Sequence, residues 1–89
     1  MANLGHYLLL CEGPLVWNAW REAYSEVVPD LGNARLENLP LSGVTLAGAN
    51  LHGASLAGAI LADACLCGAD LTGANLSEAH LRGVDLSLA

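Results

Sequence analysis

Residues 46–75 read LAGAN LHGAS LAGAI LADAC LCGAD LTGAN, six blocks of five that each begin with leucine. The same spacing continues in both directions, so leucine occupies every fifth position through the last two-thirds of the chain. The leucines are Leu31, Leu36, Leu41, Leu46, Leu51, Leu56, Leu61, Leu66, Leu71, Leu76, Leu81 and Leu86. Neither an α-helix nor a straight β-strand suits a period of five. A helix would spread the leucines around its surface, and a strand would place successive leucines on opposite faces. A chain that turns a corner every five residues points them all inward.

Small residues accompany the leucines and mark the corners. Two residues before a leucine the chain mostly carries alanine or valine, as at Ala49 and Val44, and two residues after it often carries glycine, as at Gly48 and Gly53. Because glycine readily adopts positive φ, these glycines are well suited to tight turns. The pattern predicts a repeated corner with an apolar interior.

Three blocks carry the pattern most fully: Ala49-Asn50-Leu51, Ala69-Asp70-Leu71 and Ala74-Asn75-Leu76. They resemble the pentapeptide-repeat family, whose consensus is A-(D/N)-L-x-x. The resemblance implies an all-β solenoid over residues 30–89, a right-handed quadrilateral β-helix with four pentapeptides per coil and about three coils. Residues twenty apart would then stack, and the leucines would form four interior columns.

Residues 1–29 depart from the repeat and are predicted to be an N-terminal helical cap. Trp17, Trp20 and Tyr24 have helical spacing, and Pro14 is well placed to begin that helix. The stretch from Val16 to Arg21 resembles the leader that precedes many bacterial pentapeptide-repeat domains. A solenoid end exposes apolar side chains and unpaired edges, so we expect the three aromatic residues to cap it. The alternative is that the tryptophan pair binds a ligand.

The side chains that carry chemistry are scattered. His6, His52 and His80 are far apart in sequence, and no serine or cysteine lies beside a histidine–carboxylate pair in the expected coils. Cys65 and Cys67 flank an inward leucine and should face outward together, but a structural zinc site uses four ligands at characteristic spacings. We therefore expect two ordinary surface thiols, no catalytic residues, no metal site, no cofactor and no enzyme activity.

Charge and cysteine usage narrow the class of protein further. The formal net charge is −6, which disfavours nucleic-acid binding because Lys and Arg supply the attraction to phosphate. Residues 38–62 carry no formal charge, but their asparagines, serines and glycines make a membrane span unfavourable. An odd number of cysteines without a recognisable signal peptide predicts reduced thiols and a cytoplasmic protein.

Three functions remain open. The first is a protein–protein interaction or assembly module, with Leu86, Leu88 and the outward Ile60 as candidate interface residues and a homodimer formed through the C-terminal end. The second is a DNA mimic that interacts with gyrase, as some family members do, although here the acidic residues spread over all four faces. The third is an accessory domain of a larger bacterial signalling protein. None of the three identifies a specific protein partner.

Overall fold

The structure is a computed structural model that describes residues 2–89. Helix α1 spans Leu4–Cys11. Its N-cap is Asn3, whose side chain accepts a hydrogen bond from the backbone N–H of His6 at 3.1 Å. Helix α2 spans Pro14–Ala23 and begins with proline, whose missing N–H is no loss in a first turn. Neither helix, in the part of the chain described, is long and apolar enough to cross a membrane.

Residues 30–89 wind into three stacked coils with four sides each. Isolated parallel β-bridges join residues twenty apart. The bridges are Asp30–Asn50, Arg35–Ser55, Pro40–Ile60 and Thr45–Cys65 between the first and second coils, and Asn50–Asp70, Ser55–Asn75, Ile60–His80 and Cys65–Asp85 between the second and third. One complete coil therefore takes four pentapeptides.

The sides of the coils are shorter than the expected β-strands. Within residues 30–89 the pairing consists of single bridge residues, and no continuous strand forms. The corners explain this difference, because each one is closed by a hydrogen bond between residues three apart, such as Ala49 N–H to Leu46 O at 3.0 Å. The turn leaves one residue per side, such as Thr45, in the bridging position.

Every corner places one residue at positive φ. Glycine does so at residues 43, 48, 53, 58, 68, 73 and 83, with φ between 67° and 72°. Five other corners use Asn33, Asn38, Asp63, Glu78 and Leu88, with φ between 57° and 60°. A hydrogen bond across the turn and positive φ at its third residue are the features of a type II turn. The glycine pattern thus predicted the corners, but only those occupied by glycine.

The leucines of the repeat fill the interior, and those of the last coil are less buried than the rest. The eight leucines of the repeat from Leu31 to Leu66 are 0–1% exposed, and small residues such as Ala54 and Ala59 pack between them. Each buried leucine side chain contributes about 1.5–3 kcal/mol. Leu71 and Leu76 are partly buried, whereas Leu81 and Leu86 are 37% and 44% exposed. No residue from 2 to 89 packs beneath these last two leucines, so the expected columns are incompletely covered at one end.

Candidate functional site at the ends of the coil stack

The first coil is closed by side chains of α2. Trp17 is fully buried, and its Nε1–H donates to Thr45 O at 2.7 Å. Asn18 accepts from the N–H of Thr45 at 2.9 Å and donates through Nδ2 to Gly43 O at 3.0 Å. A coil edge presents unpaired N–H and C=O groups, and these two side chains bind three of them.

Residues at the start of α1, together with Arg21 of α2, bind backbone groups on other sides of the same edge. The N–H of Asp30 donates to Nδ1 of His6 at 3.0 Å, and Asp30 O accepts from the N–H of Asn3 at 2.9 Å. Arg21 donates to Ala47 O at 2.8 Å through Nη2. On the third side the edge residue is Pro40, which has no N–H to leave unpaired.

The three aromatic residues assigned to the cap lie in a row with different exposure. The ring centroids of Trp17 and Trp20 are 5.1 Å apart, and those of Trp20 and Tyr24 are 6.3 Å apart. Trp20 is partly buried against the core, whereas Tyr24 is 58% exposed. The polar residues of the cap, Asn18 and Arg21 among them, were missed in the sequence analysis, although both lie in the leader that was recognised there.

The opposite end of the stack has no such cover among the residues that the structure describes. In the second coil, the N–H of Leu51 donates to Asp70 O at 2.9 Å and that of Leu66 to Asp85 O at 2.8 Å. The equivalent N–H groups of the third coil have no backbone acceptor within residues 2–89. They belong to Leu71, Gly73, Leu76, Glu78, Leu81, Gly83, Leu86 and Leu88. We call this surface, with its exposed leucines 81, 86 and 88, the open end face.

The side walls carry regular polar contacts and little exposed apolar surface. Asn50 Oδ1 accepts from the N–H of His52 at 3.0 Å, and Asp70 Oδ1 accepts from the N–H of Thr72 at 3.0 Å. These bonds support the backbone two residues on, as Asx turns do. Ile60 lies on the third wall between Pro40 and His80 and is 37% exposed.

Hydrogen bonds and burial shift the pKa of several charged groups. The hydroxyl and N–H of Thr72 lower the pKa of Asp70 below its ordinary value, and those of Ser87 do the same for Asp85. Both carboxyl groups are therefore ionised at neutral pH. Burial lowers the pKa of Arg21, whose Nε atom is buried without a hydrogen-bond partner while Nη1 donates to Val27 O at 2.7 Å.

The expectation of two free surface thiols was wrong for Cys65 and Cys67. The structure joins their sulfur atoms in a disulfide, with the Cα atoms 5.4 Å apart. Residues that flank an inward leucine point to the same side, so their sulfur atoms can meet. The remaining thiol, Cys11, is exposed at the end of α1.

The surface depressions near α2 do not gather catalytic groups. One is lined by residues 23–27, and another by Asn18, Arg21, Glu22 and Thr45. Neither brings a nucleophile together with a histidine. In the second depression, the side chains of Asn18 and Arg21 already donate hydrogen bonds to backbone atoms of the coil edge.

A sequence model described as pentapeptide repeats matches the chain in eight copies, over residues 34–73 and 49–87. The chain belongs to the pentapeptide-repeat family. The crystal structure of a pentapeptide repeat protein, Rfr23, from the cyanobacterium Cyanothece 51142 is 53% identical over the matched part, with a TM-score of 0.60. That match covers 62% of this chain and 37% of the other, so the chain spans well under half of that protein. No curated protein matches.

Proposed function

We propose that this pentapeptide-repeat chain is a non-enzymatic protein–protein interaction or assembly module that binds through its open end face. The contrast between the two ends of the stack carries the proposal. At one end Trp17, Asn18 and His6 bind the backbone groups of the coil edge. At the other, the same groups lie beside leucines that are 37–95% exposed. Exposed leucines next to unpaired edge groups are typical of a surface that binds another chain.

The partner that best fits this surface is a second copy of the chain. The open end face presents the N–H donors described above, and it also presents carbonyl groups. In the second coil the carbonyls of Ala49, Ala54, Ala59 and Ala64 accept from the coil below, whereas Ala69, Ala74, Ala79 and Val84 accept none within the described residues. A surface with both donors and acceptors is complementary to itself. Two-fold pairing is also the commonest symmetry of protein assemblies.

The mass of the protein in solution tests this proposal. Size-exclusion chromatography with light scattering, in reducing buffer to exclude cross-links through Cys11, should give a dimer for the natural sequence. Leu86→Lys combined with Leu88→Lys should give monomers, because lysine ammonium groups lose their water when the face is covered.

The matched control is Leu15→Lys with Val28→Lys. These residues are 89% and 64% exposed and lie in the N-terminal part, so the control adds the same charge away from the open end face. It should remain dimeric. A monomeric natural sequence, or a dimer that survives Leu86→Lys with Leu88→Lys, would contradict pairing through this face. A ladder of sizes would favour a role as an accessory domain of a longer protein, whose further coils would cover the face.

A further inference from the structure

Three metal-ligating side chains converge on the fourth side wall. The sulfur atoms of Cys65 and Cys67 and a carboxylate oxygen of Asp85 all lie within 4.8 Å of one another. Asp85 follows Cys65 by one coil and is bridged to it, so the stacking itself brings the carboxylate to the thiols. We call these three residues the thiol–carboxylate cluster.

Backbone hydrogen bonds hold the cluster in position from both sides. Cys65 O accepts from the coil above, from Leu46 N–H at 2.7 Å, and Asp85 N–H donates to Ala64 O at 3.0 Å. Leu66, between the two cysteines, is fully buried and donates to Asp85 O at 2.8 Å. Only side-chain torsions are left to adjust, which is the condition for a preorganised binding site.

The ligand set and its spacing suit a zinc-class divalent ion. Zinc takes thiolate sulfur at about 2.3 Å and carboxylate oxygen at about 2.0–2.2 Å in tetrahedral geometry, so two sulfurs on one ion lie roughly 3.7–3.8 Å apart. Cysteines with Cα atoms 5.4 Å apart and side chains on one face reach that separation by side-chain rotation once their disulfide is opened. Three protein ligands leave the fourth position to water, as in open zinc sites.

The contacts of Asp85 support its role as a ligand. Its Oδ1 atom accepts hydrogen bonds from the N–H of Ser87 at 2.9 Å and from the Ser87 hydroxyl. These contacts orient the carboxylate, while Oδ2 makes neither bond. Hydrogen bonds of this kind fix the direction of metal-binding groups in known sites.

We propose that Cys65, Cys67 and Asp85 bind one zinc-class ion when the cysteines are reduced, and that exchange of their thiols with a disulfide oxidant, which takes up the two electrons and two protons, closes the site. A thiol reductant opens it: two reductant thiols become a disulfide, and their two electrons and two protons convert the Cys65–Cys67 bond into two thiols. Binding of the ion then releases those two protons as the sulfur–metal bonds form. No metal site was expected from the sequence, because two cysteines fall short of the four ligands of a structural zinc site and the residue one coil below was not considered.

Cobalt(II) is the probe for the test, because thiolate coordination gives it a sulfur-to-metal charge-transfer absorption. The chain is reduced with dithiothreitol, desalted without oxygen and titrated with cobalt. We expect an absorption band that saturates at one equivalent and disappears when zinc is added. The oxidised chain should show no band. Absence of the band from the reduced protein, or its presence in the oxidised protein, would overturn the proposal.

Single variants identify the ligands. Cys65→Ser and Cys67→Ser should each abolish the band, and Asp85→Asn should weaken zinc binding by at least the roughly 10–100-fold that loss of a supporting group costs. Cys11→Ser is the matched control, since it removes the exposed thiol of α1, and it should bind as the natural sequence does. Unchanged affinity in Asp85→Asn would show that Asp85 is not a ligand, and loss of the band in Cys11→Ser would show that the ion is bound elsewhere; either result would overturn the proposed ligand set.

Discussion

A corner glycine is constrained both by its own φ and by the residue above it. Gly58 and Gly68 have φ of +69° and +67°. A Cβ atom added at Gly68 would meet nothing within 4 Å, whereas one added at Gly58 would collide with the side chain of Asn38. An alanine at residue 68 therefore tests backbone strain alone, whereas an alanine at residue 58 tests backbone strain together with crowding between coils.

We expect Gly68→Ala to lower the free energy of unfolding by about 1–2 kcal/mol, the cost of alanine in the left-handed region. Gly58→Ala should cost more, because the Asn38 side chain must also move. In a double-mutant cycle with Asn38→Gly the extra cost should vanish, giving a coupling of roughly 0.5–1 kcal/mol by urea unfolding. Equal costs for the two alanines, with no coupling to Asn38, would contradict this explanation.

The five corners without glycine were not predicted from the sequence. Asparagine and aspartate tolerate positive φ, so Asn33, Asn38 and Asp63 could have been recognised as corners from residue type and register together. Glu78 and Leu88 could not, since neither side chain favours that region. The position within the repeat decides the φ value there, and the residue adapts to it.

At the scale of elements, α2 stabilises the coil stack through hydrogen bonds as well as apolar contact. Asn18 serves two backbone groups, the N–H of Thr45 and the carbonyl of Gly43. We expect Asn18→Ala to lower the free energy of unfolding by about 1–3 kcal/mol, because both groups lose their partner. The free energy of unfolding of Asn18→Asp should lie between those of Asn18→Ala and the natural sequence, since aspartate keeps the acceptor and loses the donor. Thermal unfolding followed by circular dichroism measures both.

Leu15→Ala is the control for this comparison, because Leu15 lies in the same helix and is 89% exposed. It should change stability little, since alanine also favours the helix. If Asn18→Ala were as mild as Leu15→Ala, the two hydrogen bonds of Asn18 to the coil edge would have no net effect on stability.

The position of α2 could be predicted from neighbouring residues in the sequence, whereas its contacts with the coils could not. Pro14 and the spacing of Trp17 and Trp20 predicted α2, because a helix start and an apolar face are encoded in adjacent residues. Which backbone group Asn18 reaches depends on a coil edge 27 residues further along the chain. The Asp85 contact was missed for a related reason, since a ligand pair twenty residues apart is recognisable only once the coil length has been applied to every side chain.

For the whole molecule, the ionised side chains of the walls make stability depend on pH. The pKa of Asp70 is lowered by its bonds to Thr72, so the unfolded chain binds its proton more readily than the folded chain does. The stabilisation is then complete above the unfolded pKa of about 3.9 and is lost as the pH falls through the lower folded value. The melting temperature should decline at acid pH.

Asp70→Asn should make that decline shallower, because an amide does not titrate at acid pH. Asn50 already makes the same contact from the coil above, accepting from the N–H of His52, so the substitution keeps the turn. Glu26→Gln removes one carboxylate from the segment after α2 and serves as the control. An identical acid profile for Asp70→Asn and the natural sequence would contradict the assignment.

The difference between the two ends of the stack also has a consequence for the size of the proposed assembly. Because α1 and α2 occupy one end, the residues that the structure describes leave the open end face as the place where another coil could be added. If the proposed pairing holds, a unit with one end covered has a valence of one: it would join one neighbour, and association through the open end face would stop at a pair instead of propagating into a filament. Placed against a longer β-helix of matching cross-section, the same chain would act as a terminator of its growth.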